Sequence, residues 1–197
     1  MHLKAILNNP AIYRMFYFMT GFKPSKFVER YIRPVNGNTI LDIGCGPADI
    51  LRYLPEANYI GFDISESYID AAKRRYKDLG TFYCKMLTTD AISGVDADIV
   101  LAIGVLHHLN DDECEDLFTL AYSSLKEGGR LITLDPCYVK GQPKLTRYII
   151  SNDRGQFVRQ QKQYLELAER VFSDVTVNIC NDLLRIPYTH IIMECRK

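Results

Sequence analysis

Apolar residues along this chain recur in short runs separated by glycine, proline and charged clusters, and the period of the runs changes from segment to segment. Within 10–31, Ile12, Met15, Phe16 and Met19, then Phe27, Val28 and Tyr31, keep helical spacing in two pieces divided at 21–24. That predicts two short N-terminal helices. Ile40, Leu41 and Ile43 form an apolar run that predicts a buried first strand, and a brief helix at 50–54 stopped by Pro55 and a second strand at 59–63 follow. Ser65 stands where it can cap a helix whose apolar face is Tyr68, Ile69, Ala72 and Tyr76, with Gly80 just past its end. Residues 81–86 read as a third strand, and 98–105, DIVLAIGV, as a fourth strand buried on both faces. Asn110 or Asp111 opens an acidic-started helix through Leu117, Leu120 and Leu125, closed by Gly128 and Gly129, before a fifth strand at 130–134.

Strand and helix alternate from 38 to 136, so the sheet there is expected to be parallel with helices on both faces. The tail changes character. Residues 137–157 contain Gly141, Pro143 and Gly155 and read as loop with one helical turn, while 158–171 reads as a helix packing Tyr164, Leu165, Leu167 and Ala168. Two further strands, 175–180 and 188–195, lie close enough in sequence to pair antiparallel.

The pattern places a glycine-rich turn directly after the first strand. In TILDIGCGPADI, residues 39–50, Gly44 and Gly46 let the backbone turn sharply and approach a ligand without a Cβ in the way. Asp63 ends the next strand, where a carboxylate can accept hydrogen bonds from both hydroxyls of a ribose. The outline is that of a nucleotide-type cofactor site.

Composition narrows the partners. The chain of 197 residues carries 24 basic and 24 acidic side chains, which argues against a long basic footprint for nucleic acid. Residues 1–37 hold Lys4, Arg14, Lys23, Lys26, Arg30 and Arg33 against Glu29 alone; a solvated helix face is the expected reading, with an anionic ligand as the alternative. The six cysteines, Cys45, Cys84, Cys114, Cys137, Cys180 and Cys195, form no CxxC pair and no Cys/His cluster with metal spacing, so they read as reduced core residues and no metal is expected. The apolar stretch 11–22 is broken by Arg14 and is shorter than the roughly 20 residues of a membrane span, so a soluble cytoplasmic protein is expected.

Taken in order, LDIGCGPA (41–48), GFDIS (61–65), LAIGVLHHL (101–109), LKEGGRLITLDP (125–136) and the closing strand pair resemble the class I S-adenosylmethionine-dependent methyltransferases, over 38–197. The resemblance implies an α/β fold: a doubly wound, mostly parallel, seven-stranded Rossmann-like sheet with one antiparallel strand. Residues 1–37 would form a helical lid ahead of a cofactor domain at 38–197. It implies S-adenosyl-L-methionine as cofactor, with Gly44, Cys45 and Gly46 along its methionine part and Asp42 at its ammonium group, directly or through water. Asp63 would hold the ribose, Ile64 would lie against adenine, and Ile103 would border the site from the fourth strand. Asp90 is the candidate for the adenine amino group, with Met86 or Leu87 as the backbone alternative. A nicotinamide dinucleotide is the rival cofactor, but its fingerprint wants a third glycine where this chain has Asp49, a carboxylate where phosphates should sit.

Ligands of a parallel sheet bind at the carboxyl ends of the strands, which puts 104–108 beside the reactive methyl group. A methyl acceptor must lose a proton, and a histidine titrating near neutrality suits that role. Adjacent His107 and His108 point to different sides; His108 is favoured as the base, with a purely structural role open for either. For the acceptor, SNDRGQFVR (151–159) offers Arg154 and Arg159 as guanidinium forks, against the alternative that Asp153 pairs with Arg154 and Arg159 merely starts a helix. Tyr188 in RIPYTH (185–190), and Tyr13 and Arg14 in the N-terminal helix, complete the substrate candidates. The expected activity is methyl transfer to an oxygen or nitrogen of a small molecule such as a sugar or another anionic metabolite, beneath a lid formed by the N-terminal helices and 137–160. An RNA or protein methyltransferase, a non-catalytic cofactor-binding module and, more distantly, an NAD-dependent oxidoreductase are the alternatives. The oligomeric state is left open.

Overall fold

A computed structural model describes residues 20–153 and 155–197. Tyr13, Arg14 and Arg154, and most of the expected N-terminal lid, lie outside the described residues. The strands are β1 (Thr39–Ile43), β2 (Asn58–Asp63), β3 (Gly80–Cys84), β4 (Ala97–Ile103), β5 (Leu125–Tyr138), β6 (Arg159–Gln160), β7 (Asp174–Cys180) and β8 (His190–Arg196). The helices are α1 (Pro24–Phe27), which continues into a π turn at Val28–Ile32, α2 (Glu66–Tyr76), α3 (Asp111–Ser124), α4 (Lys144–Ser151) and α5 (Gln161–Glu169).

The sheet order is β3-β2-β1-β4-β5-β8-β7, with β6 pairing the far end of β5. From β3 to β5 all neighbours are parallel, and β8 runs antiparallel to both β5 and β7. This is the seven-stranded, mostly parallel sheet that the sequence implied. The chain enters at β1, winds out to β3, then returns to β4 and winds the other way, so the strand order reverses between β1 and β4. A crevice opens at such a point above the carboxyl ends of the two strands, here where Gly44–Gly46 and Gly104–His108 leave the sheet.

The central strands divide their side chains between two cores. Val100 and Ala102 of β4 pack with Leu41, Leu131, Phe118 and Tyr164 on one face. Ile99 and Leu101 pack with Ile40, Ile132, Phe27 and Ile69 on the other. Because both faces are covered, the central strands read as continuous apolar runs instead of alternating ones. Helix α3 starts in a capping box: Asn110 accepts from the Glu113 amide at 3.0 Å, and Glu113 accepts from the Asn110 amide at 2.8 Å.

Several sequence expectations are corrected. Helix α3 ends at Ser124 and passes straight into β5, so Gly128 and Gly129 lie within a strand and close no helix. The pairing of β4 with β5 shifts register there: Ala97 faces Leu125, and the next pair is Ile99 with Arg130. The segment read as loop holds the end of β5 and the two-turn helix α4, which buries Thr146 and Ile150. Helix α5 is shorter than 158–171, because Arg159 and Gln160 pair with Cys137 and Tyr138. Of the cysteines, which are all free, Cys84 is exposed and the other five are buried. Among the N-terminal cations, Lys26 and Arg30 pair with Asp182, and Arg33 pairs with Glu194. They tie the π turn region to the β7–β8 end of the sheet. No helix among the described residues is long and apolar enough to cross a membrane.

Arg159 corrects a further expectation. Its side chain is 6% exposed, and its guanidinium makes five hydrogen bonds: to Asp111 Oδ1 from Nε and Nη2, to the Leu106 and Phe157 carbonyls from Nη1, and to the Leu109 carbonyl from Nη2. All five N–H donors of the fork are used, so none remains for an acceptor molecule. Arg159 instead fastens the exit of β4 to the start of α3 and to the approach of β6. Arg159→Leu leaves three carbonyls without a donor and is expected to lower stability by about 3 kcal/mol, read as a fall in the urea midpoint at constant m. Arg159→Lys, with three donors and no planar fork, is expected to recover only part of the loss.

Candidate functional site

The glycine turn is held to the end of β2 from below. Both Gly44 N and Cys45 N donate to the Phe62 carbonyl, at 2.8 and 3.0 Å, and Gly46 N donates to Asp63 Oδ2 at 2.9 Å. Asp63 Oδ1 accepts from Ser65 N at 2.8 Å, so the carboxylate bridges the turn and the start of α2 and leaves a lone pair on each oxygen. Ser65 thus occupies the cap position through its amide and not through its hydroxyl. Gly44 (φ 70°) and Gly46 (φ 54°) both lie in the left-handed region. A Cβ on Gly44 would meet Val105 Cγ2 at 2.7 Å, whereas one on Gly46 would meet nothing within 4 Å. The first glycine is required by the neighbouring loop, and the second faces open space. Asp49 follows at the start of a short 3₁₀ helix and is paired with Arg75 at 2.8 Å.

Asp42 lies beneath this turn, 2% exposed. Its Oδ2 accepts from the Tyr59 hydroxyl at 2.5 Å, while its Oδ1 is buried with no hydrogen-bond partner. Burial pushes the carboxyl up to about 7, against the Tyr59 bond that favours the anion, and Asp63 adds to the rise. A buried carboxylate oxygen without a donor is costly. Its position next to an open glycine turn suits a ligand that brings a cationic N–H group. Tyr59 was read from sequence only as strand bulk. Towards the outer strands, Ile64 is 73% and Met86 70% exposed, Leu87 is buried, Asp90 is exposed, and Ile103 is half-buried. Two such exposed apolar side chains at the ends of β2 and β3 offer a surface for a flat apolar ring.

Across the crevice, the two histidines differ sharply. His107 is 6% exposed and His108 is exposed; their ring centroids are 4.0 Å apart. Both ring nitrogens of His107 face carboxylates: Nδ1 lies 2.7 Å from Asp135 Oδ1, and Nε2 lies 3.3 Å from Asp153 Oδ1. Burial opposes the charged ring, but the bonds to Asp135 and Asp153 outweigh it and raise His107 to about 9. A histidine already protonated at neutral pH, with both nitrogens engaged, does not take a proton from an acceptor, which corrects the reading of His107 as a possible base. Asp153 in turn accepts from Tyr188 Oη at 2.7 Å, and Tyr188 is buried. His190, its ring 4.8 Å from that of Tyr188, is pushed down to about 4 by burial and stands neutral.

Sequence reasoning missed Asp135, Asp153 and His190. Asp135 was legible in principle as an acid at the carboxyl end of a parallel strand. Asp153 was hidden by Arg154, next to it in sequence.

Residues 40–129 match the family model described as a methyltransferase domain. No curated protein matches the chain. Among solved structures, the fold is similar to a TehB-like SAM-dependent methyltransferase from Corynebacterium glutamicum, at 19% identity and TM-score 0.68, covering 95% of this chain and 98% of that one. It is also similar to the geranyl diphosphate C-methyltransferase of Streptomyces coelicolor A3(2), solved with Mg2+, geranyl-S-thiolodiphosphate and S-adenosyl-L-homocysteine: 17% identity, TM-score 0.63, 87% of this chain and 74% of that one. A third, the [4+2]-cyclase SpnF, shares 16% identity and a TM-score of 0.62 over 88% of this chain and 80% of that one. At these identities the likeness is one of fold. The methyltransferase-domain match, which runs from β1 into the start of β5, and the Rossmann-like sheet that carries it are consistent with a class I S-adenosylmethionine-dependent methyltransferase.

Proposed function

We propose that this enzyme moves the methyl group of S-adenosylmethionine to an oxygen or nitrogen of a small molecule bound at the exit of β4. The observation that carries the cofactor half is the orphaned Oδ1 of Asp42 beneath a glycine turn whose second glycine faces open space. When bound, S-adenosylmethionine supplies an electrophilic methyl group on a sulfonium that departs as a neutral thioether.

The residues present fit that molecule. Asp42 would accept from its ammonium group, Gly44, Cys45 and Gly46 would line its methionine part, and the free lone pairs of Asp63 would accept from the ribose hydroxyls. Ile64 would cover one face of adenine, with Leu87 and Ile103 bordering it and Asp90 near its amino group. Asp49, already paired with Arg75, leaves a carboxylate where a dinucleotide would need room for two phosphates.

On the acceptor side, His108 is exposed beside the buried, charged His107 and remains the candidate base. Tyr188 borders the same space. Arg159 drops out as an anion-recognition group, so the reading favours a small hydroxyl- or amine-bearing acceptor over an anionic one. Lys26, Arg30 and Arg33 are spent on Asp182 and Glu194, which weighs against an RNA surface there.

Calorimetric titration with S-adenosylmethionine and S-adenosylhomocysteine, followed by an acceptor screen read by mass shift, tests the proposal. Binding of both is expected; binding of neither, with a response to a nicotinamide dinucleotide, overturns it. With an acceptor in hand, His108→Ala is expected to lower kcat about a hundredfold or more while leaving cofactor affinity within about twofold; parent-like turnover would show that no base acts from position 108. Asp42 gives a test that needs no acceptor. Its folded pKa, about 7, lies above the ordinary 3.8, so its contribution to stability is fully present below 3.8 and is lost as pH rises through about 7. Asp42→Asn is therefore expected to raise the Tm of the ligand-free protein at pH 8 and flatten its decline above pH 4. The same change weakens binding of S-adenosylhomocysteine.

A further inference from the structure

We propose that His107 is a positioning residue whose ring, bonded to carboxylates on both sides, locks the acceptor-side segments onto the exit of β4. The inference rests on the acceptor reading of that side of the crevice.

Two ionised carboxylates favour charge on the ring, and burial, which raises Asp135 above the ordinary carboxylate range, works against the ion pair on that side. A neutral imidazole carries one N–H, so with a carboxylate at each nitrogen one contact would set a lone pair against an anion. With both nitrogens protonated, Nδ1 makes a charge-assisted hydrogen bond to Asp135 and Nε2 an ion pair with Asp153. The raised pKa of His107 agrees with a charged ring.

Each partner brings a different piece of the chain. Asp135, at the end of β5 and 1% exposed, uses one oxygen to accept from both the His107 amide, at 3.1 Å, and its Nδ1. Asp153, just past the end of α4, receives Nε2 and also accepts from Gly155 N at 3.0 Å and Tyr188 Oη at 2.7 Å. Tyr188 belongs to the turn between β7 and β8. The His107 carbonyl accepts from Phe157 N at 2.9 Å. Gly155 packs so closely that a Cβ there would fall 2.0 Å from His107 Cδ2 and 2.6 Å from its carbonyl oxygen. Residue 155 is thus a glycine because the segment must lie flat against the ring.

One imidazolium therefore registers the β4 exit, β5, the stretch between α4 and β6, and the β7–β8 turn against one another. The groups facing it are Asp135 from β5, Asp153 from beyond α4, His108 from its own loop, and Tyr188 and His190 from the β7–β8 end. Burial keeps His190 neutral, so it does not compete as a second cation. With its amide and carbonyl both bound, His107 also fixes the backbone from which His108 projects, and His108 N donates to the Val105 carbonyl at 3.0 Å.

The lock has a pH window. Asp153 is held below the ordinary carboxylate range because its bonds from His107, Gly155 and Tyr188 outweigh its burial, so its share is present above 3.8 and lost toward acid. The share of His107 is complete below 6.5 and is lost as pH rises through about 9.

The test uses the unmodified protein first. The His107 ring is titrated by NMR, and amide-exchange protection of Gly155 and Phe157 is measured relative to Leu41 in β1 from pH 6 to 10. A flat ratio to pH 8 and a fall of about tenfold through the His107 titration are expected. In Asp153→Asn, His107 should titrate lower than in the parent, and both amides should lose about tenfold in protection at pH 7. Binding of S-adenosylhomocysteine should stay within about twofold of the parent. A ring that titrates near 6.5 in the parent, or parent-like protection in the variant, overturns the proposal. Failure of the parent to bind S-adenosylhomocysteine would instead sink the methyltransferase reading and leave the exchange result standing.

Discussion

Covering a sheet on both faces leaves few places for polar chemistry. Between the two apolar cores a charged side chain finds neither water nor a backbone donor, because the strand ladders use the backbone groups. Among the described residues, the buried Asp, His and Arg side chains, Asp42, His107, Asp135, Arg159 and His190, all sit near one rim of the sheet. Each lies near the end of a strand or just beyond it, or, for Arg159 in β6 and His190 in β8, at a strand's start. The crevice between β1 and β4 and everything that lines it follow from that confinement.

The two sides of the crevice hold their buried charges differently, although Asp135, like Asp42, keeps one oxygen buried without a partner. On the side of β1, Asp42 has a single donor and an empty oxygen, and its charge is tolerable only when a ligand supplies the missing partner. On the side of β4, His107 already sits between two anions, and its charge is spent inside the protein. A site built this way has a receptive half, whose energetics change on binding, and a rigid half, whose geometry is set beforehand. In-line displacement gains much of its rate from alignment, and a prearranged wall opposite a cofactor that locks in place suits that demand.

The parts of the fold visible in the sequence are those written as uninterrupted apolar runs and glycine turns. Residues 98–105 and 41–48 are of this kind, because burial on both faces and close backbone approach each leave a compositional trace. The end of β5 was invisible because Pro136 sits inside the strand, and α4 because Gly141 and Pro143 precede it. The roles of the rim residues were harder still. Arg159 looked like a recognition group, since nothing in a sequence reveals that its partners are the carbonyls of Leu106, Leu109 and Phe157. Of two adjacent histidines the sequence favoured His108 as the base, but only their surroundings show that His107 is held between carboxylates while His108 is exposed. Asp153, next to Arg154 in sequence, turned out to answer to His107 and Tyr188, far away along the chain.

The shifted register where β4 meets β5 bears on how the rim is aligned. Above it, the pairs from Ile99 with Arg130 to Ile103 with Leu134 form an unbroken ladder that delivers His107 and Asp135 to the same height. Below it, Lys126, Glu127 and Gly128 bulge outward at the end of the sheet remote from the crevice. Lys126 pairs with Asp98 there, and Gly128 N donates to the Lys197 carbonyl. The irregularity in the β4–β5 ladder is thus confined to the rim opposite the glycine turn, and the ladder that carries His107 and Asp135 keeps its register.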